Sequence, residues 1–170
     1  MLSHGMNFLV FSRRMAEDEN VVNHNCQQPY IWISIGNPAD LVDLDHHTCP
    51  NPVQNEWCRG VCQVLFDDVL DDAYGYVPMS EVQANQIVDF VDDMKDEVTM
   101  ICVHCEAGIS RSSATAMSLS WWLNGNDSGI GSDTRYYPNR HTKNMLRTAM
   151  HETGRCGGSD KCILCKYDEE

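Results

Sequence analysis

The stretch TMICVHCEAGISRSSATAMSLSWWL, residues 99–123, decides how this chain folds. Its first part, TMICV (99–103), is a short apolar run of the kind that forms a central strand of a parallel sheet. From Ile109 onward, ISRSSATAMSLSWWL has the length and alanine content of a buried helix that ends near Asn124-Gly125. Between the two lies HCEAGIS, whose cysteine stands six positions before Arg111. A loop that leaves a buried strand and enters a helix N-terminus turns successive backbone N–H groups inward, which makes a cradle for an anion.

Outward from this unit, strands and helices alternate. NFLVF (7–11) reads as a strand, after which Ser12 is placed to cap a short helix, RRMAE. YIWISI (30–35) reads as a buried strand closed by the turn signal GNP, and VCQVLF (61–66) as a further strand. Residues 37–60 look irregular, with prolines at 38, 50 and 52. Ser80 opens a helix with a capping box, SEVQ, and Ala84, Ile87, Val88, Val91 and Met94 recur at helical spacing. PNRHTKNMLRTAMHE (138–152) reads as a last helix beginning with its proline. The order predicts an α/β domain with a central, mainly parallel sheet flanked by helices. Residues 1–150 form that single domain, and residues 151–170 a cysteine-rich tail.

The formal net charge is −13, and the lysines and arginines are scattered rather than clustered. Such a field repels nucleic acid and anionic membranes, so neither is expected as a partner. No apolar run reaches the length of a membrane helix, and the N-terminus lacks a secretory pattern, so the reading is a cytoplasmic protein. Nine cysteines without a secretory signal argue for reduced thiols in metal binding, catalysis or burial.

In the loop, Cys105 sits where helix-terminal N–H dipoles and a guanidinium would favour the thiolate at neutral pH. Gly108 allows a turn that a side chain would hinder. Arg111 presents a planar fork that matches two phosphate oxygens, and Ser112 is placed to donate a hydrogen bond to the sulfur. A cysteine at the end of a buried strand is the bland alternative.

The sequence here resembles the cysteine-dependent protein tyrosine phosphatases, whose signature is H-C-x-x-G-x-x-R-S/T; His104, Cys105, Gly108, Arg111 and Ser112 fit it. SRRMAE, ISIGNP, FDD, HCEAGISRS and YPNRH, in this order, further resemble small dual-specificity-like phosphatases of bacterial and phage type, over residues 7–150. The resemblance implies that Cys105 attacks phosphorus, while Arg111 and the amides of Glu106, Ala107, Gly108, Ile109, Ser110 and Arg111 bind the phosphate. It also implies an aspartate on a loop upstream that protonates the leaving group, a step worth roughly 10²–10⁴-fold in rate. VLFDDVLDD supplies Asp67, Asp68, Asp71 and Asp72; Asp68 is favoured, as the first residue free to reach over the pocket, with Asp67 close behind. His104 reads as a residue that orders the loop by hydrogen bonding. No cofactor is required for this chemistry.

The implied substrate is a phosphoprotein or phosphopeptide carrying phosphotyrosine, and pocket depth decides whether phosphoserine and phosphothreonine are accepted as well. Glu106 in the loop and the acidic field disfavour a polyanionic lipid head group. Two other classes compete: an inactive module that recognises phosphoproteins with the same loop, and a sulfur-transfer or arsenate-reducing enzyme. The retained cysteine, arginine, serine and upstream aspartates favour the phosphatase.

Elsewhere, His151, Cys156, Cys162 and Cys165 have the composition of a tetrahedral zinc site that would tie down the tail. A looser group, His46, His47, Cys49, Cys58 and Cys62, is a weaker metal candidate. Cys102 reads as a core thiol, facing away from Cys105 by strand alternation.

Overall fold

A computed structural model describes residues 5–41, 49–156, 162 and 165. Four strands form one all-parallel sheet in the order β1-β4-β2-β3: β1 (Asn7–Ser12), β2 (Tyr30–Gly36), β3 (Cys58–Leu65) and β4 (Met100–Cys105). Every residue of β2 and β4 is buried, which is why both read as unbroken apolar runs rather than alternating ones.

The period of two sorts the side chains into two cores. Ile31, Ile33 and Ile35 of β2 and Ile101, Val103 and Cys105 of β4 face the larger core. That core is closed by α3 (Glu81–Met94), α4 (Arg111–Asn124) and α5 (Arg140–Glu152). Tyr30 and Trp32 of β2 and Met100 and Cys102 of β4 face the opposite side, under α1 (Arg13–Ala16) and α2 (Glu19–Asn25). Trp122 packs against the larger core, whereas Trp121 is exposed.

The helix starts follow local chemistry. The Ser12 hydroxyl accepts from the Met15 amide, and Ser80 and Gln83 form the complete capping box. α4 ends at Gly125, whose φ of 76° closes the helix in the left-handed region. α5 departs from expectation. Asn139 caps it by accepting from the Thr142 amide, so Pro138 lies outside the helix. Helix α2 was not legible as a helix, because it is short and only Val22 is buried along it; Asp18 starts it by accepting from the Asn20 and Val21 amides.

The second cysteine group does not assemble among the described residues. A register irregularity opposite Tyr30 and Ile31 shifts the start of β3 by one residue. Cys58 therefore packs with the Trp32 side and Cys62 with the larger core, although their spacing in a regular strand would put them on one face. His46 and His47 lie outside the described residues. No helix among the described residues is long and apolar enough to cross a membrane.

Candidate active site

Parallel strands deliver their C-terminal ends to one edge, and there the loops after all four strands meet. After β4, the turn 105–111 passes beneath the end of β1. Gly108 has φ 71°, and a Cβ built on it would fall 2.6 Å from the Ser12 nitrogen and 2.7 Å from the Phe11 carbonyl carbon. Glycine is required here twice over, for the left-handed backbone and for the close approach.

The carbonyls of the turn are tied to the outside. That of Glu106 accepts from the Arg13 amide, that of Ile109 from the Tyr137 amide, and that of Ser110 from the Asn139 amide, each at 3.1 Å. No peptide bond among the described residues is cis, and in a planar trans peptide the N–H points opposite to the carbonyl. The amides of Ala107, Ser110 and Arg111 therefore face the concave side of the turn. At the start of α4 the Ser110 side chain makes no capping bond, so the helix presents its N-terminal dipole to that same concavity.

Cys105 is buried, with its sulfur 3.1 Å from the Ser112 hydroxyl. Arg111 is 4% exposed. Its Nη1 donates to the carbonyl of Phe66 at 2.6 Å, to the Asn37 side-chain oxygen at 2.8 Å and to the Gly36 carbonyl at 3.2 Å. These acceptors come from the ends of β2 and β3, so two strands orient one guanidinium. Its Nε is buried and has no hydrogen-bond partner among the described residues. Beneath the loop, His104 shares a 2.7 Å hydrogen bond with the Ser34 hydroxyl and lies 3.5 Å by Nδ1 from the Cys105 carbonyl. Burial pushes the His104 imidazole down to about 4, so it is neutral at physiological pH and adds no charge beneath the thiol.

The acidic loop after β3 separates its aspartates. The strand stops at Leu65, one residue short of the expected end. Asp67 is engaged within its own loop, exchanging hydrogen bonds with the backbone of Val77. Asp71 accepts from the Ala73 amide, and Asp72 precedes a short 3-10 turn without capping it. Asp68 alone of the four reaches the turn 105–111: its Oδ1 accepts from the Ser110 hydroxyl and from the Asn139 side-chain amide, both at 2.8 Å. Of the expected loop residues, Glu106 is exposed and its carboxylate lies 3.8 Å from Arg13, while Ile109 is exposed at the rim.

Sequence reasoning had not singled out Ser34, Asn37 or Asn139. The one available signal was position: Asn37 follows a buried strand and Asn139 precedes a helix, both places where side chains meet loops. At the far end of α5, the ligand atoms of His151, Cys156, Cys162 and Cys165 lie within 4.8 Å of one another.

No protein-family model matches the chain, and no curated protein matches it. Solved structures do. The human tyrosine phosphatase-like serine/threonine/tyrosine-interacting protein is 15% identical with a TM-score of 0.59, over 86% of this chain and 93% of that one. Human DUSP28 is 14% identical with a TM-score of 0.55, over 86% of this chain and 93% of that one. The Yvh1 phosphatase domain of Chaetomium thermophilum is 16% identical with a TM-score of 0.54, over 89% of this chain and 94% of that one. At these identities the likeness establishes the fold. It is the fold of the dual-specificity and tyrosine phosphatases.

Proposed function

We propose that this chain is a protein-tyrosine or dual-specificity phosphatase, a phosphoric monoester hydrolase working through a phosphocysteine intermediate. The observation that carries the reading is Arg111. A buried guanidinium anchored by Nη1 and left with an unpartnered Nε destabilises the fold by about 1–3 kcal/mol. An oxyanion seated in the turn supplies the missing acceptor, and the amides of Ala107, Ser110 and Arg111 supply further donors to it.

The chemistry follows from the placement. The Cys105 thiolate attacks phosphorus, the S–P bond forms as the P–O bond to the leaving group breaks, and Asp68 gives its proton to the departing oxygen. Water then attacks the phosphocysteine and passes a proton to Asp68. The thiolate leaves while accepting a hydrogen bond from Ser112, whose hydroxyl is 3.1 Å from the sulfur. Ser110 and Asn139 hold the Asp68 carboxyl above the loop throughout.

A protein-borne substrate suits the rim. Ile109, Tyr137, Tyr76 and Val77 are exposed apolar residues on the phosphate loop and the segments bonded to it or to the Asp68 loop. Glu106 and the net charge of −13 oppose a multiply phosphorylated lipid or nucleic-acid end. Phosphotyrosine in proteins is the substrate this favours, with phosphoserine and phosphothreonine peptides the next to test.

The test is hydrolysis of para-nitrophenyl phosphate by wild type and Cys105→Ser, with reductant and no added metal. Turnover by wild type only, with a phosphoenzyme trapped on acid quench, upholds the mechanism. The second reading, a phosphate-binding module, has the human neighbour in its favour, since that protein is described as an interacting protein. A folded, inactive wild type that still binds phosphotyrosine peptides would establish it instead.

A further inference from the structure

The last turn of α5 and the chain beyond it form a second constellation that phosphate chemistry does not use. Gly154, at φ 72°, reverses the chain after the helix, with its amide donating to the His151 carbonyl at 3.0 Å and the Arg155 amide to that of Met150 at 2.7 Å. Arg155 then fastens onto α3, with Nη1 2.7 Å from Asp89 and Nε 3.1 Å from Asp92. The reversal brings Cys156 back beside His151, where it also packs against the larger core. Two ligands are thus fixed by the folded domain before the tail arrives.

Cys162 and Cys165 complete the group. Cys165 Sγ lies 3.2 Å from His151 Nδ1 and 3.3 Å from Cys156 Sγ. Cys162 and Cys156 place their sulfurs 3.7 and 3.8 Å from the same Nδ1. Zinc bonds of about 2.3 Å to sulfur and about 2.0–2.1 Å to nitrogen, at tetrahedral angles, put ligand atoms about 3.5–3.8 Å apart. The cluster already has that scale. A disulfide explains it less well, because pairing two of three cysteines strands the third and has no use for an imidazole nitrogen aimed at all three sulfurs.

We propose that His151, Cys156, Cys162 and Cys165 bind one zinc ion in a closed, structural site that clips the C-terminal segment to the end of α5. Three thiolates and a neutral imidazole match zinc and disfavour calcium or magnesium, which take oxygen ligands. With four protein ligands no position stays open for water, so the ion has no part in turnover.

The experiment uses the full chain, reduced and stripped with a chelator, then titrated with cobalt(II) and with zinc(II). One cobalt per chain, with a thiolate charge-transfer band and tetrahedral d–d bands that zinc abolishes, is the expected result. Zinc should raise the melting temperature by on the order of 5–10 °C at about a hundredfold excess over its dissociation constant. Cys165→Ser, which leaves the core-packed Cys156 in place, should weaken metal binding at least about a hundredfold, since outer-shell partners alone are worth 10–100-fold. Cys105→Ser should leave the cobalt spectrum unchanged. A reduced chain that takes up no metal, or whose metal binding survives both Cys165→Ser and Cys156→Ser, overturns the proposal. So does a Cys156–Cys165 disulfide that persists under reductant.

Discussion

Cys102 and Cys105 stand three residues apart on β4, both buried, with opposite prospects. Cys102 faces Trp32, Tyr30 and Met100, and its sulfur is 3.6 Å from that of Cys26. Burial pushes its thiol well above the ordinary range, so it stays protonated and inert. Cys105 is the last residue of the strand and faces the other way, into the turn that opens α4. Burial alone therefore does not separate a core thiol from the thiol we propose as the nucleophile. What separates them is the end of the strand: Cys102 is enclosed by side chains of the Trp32 face, whereas Cys105 opens the turn into α4, with its sulfur 3.1 Å from the Ser112 hydroxyl.

The largest effect expected from this contrast is on turnover. Cys105→Ser should lower kcat by at least about 10⁴-fold, as loss of a nucleophile does elsewhere. Cys102→Ala should leave kcat unchanged and only lower the melting temperature. Loss of activity in a folded Cys102→Ala protein would break the contrast, because it would put the enclosed thiol in the mechanism.

Next comes the acid. Asp68→Asn should lower kcat by roughly 10²–10⁴-fold and make the rate depend more steeply on the basicity of the leaving group. Asp67→Asn should act mainly on the folding of its loop, since Asp67 is spent on Val77. A reversed ranking would transfer the acid role to Asp67. A subtler variant probes how Asp68 is held. The Asn139 amide both caps α5, accepting from Thr142, and donates to Asp68 and to the Val69 carbonyl. Asn139→Asp keeps the cap and turns the donor into a second carboxylate facing the first. It should reduce kcat on the order of 10–100-fold with little loss of stability. Equal damage to stability and kcat would mean that the residue only caps the helix.

These residues mark where the sequence stopped being legible. The turn 105–111 was readable because its structure is local: strand, turn, glycine and helix follow within one stretch, and the capping box at Ser80 is equally local. The α/β order was readable from apolar runs and helical spacing. Asn37, Ser34 and Asn139 were not, because their partners are Arg111, His104 and Asp68, each at least seventy residues away in the chain. Only the sheet order β1-β4-β2-β3 brings those segments to one edge. Cys58 and Cys62 failed for the opposite reason: a one-residue irregularity, invisible in the sequence, sends them to different faces. The choice of Asp68 over Asp67 rested on where the strand ends, and Asp68 is the one that reaches the loop even though that end came a residue early.

His104 tests the enclosed face itself, and its effect belongs to stability. The ring lies 5.7 Å from Trp32 and is held neutral by burial, with its pKa lowered to about 4 from an ordinary 6.5. Above pH 6.5 the folded and unfolded forms are both neutral there, and the site adds no pH dependence. Between pH 6.5 and 4 the unfolded chain binds a proton that the folded chain refuses. Stability therefore falls as pH falls through that window, by on the order of 3 kcal/mol in all, and no further below it. Other groups titrate in the same range, so the informative quantity is a difference. Wild type should lose about that much more than His104→Gln between pH 7 and 4 in denaturant unfolding. Parallel curves for the two proteins would mean that the histidine is protonated without cost, and that the face of β4 carrying Cys102 is open to water.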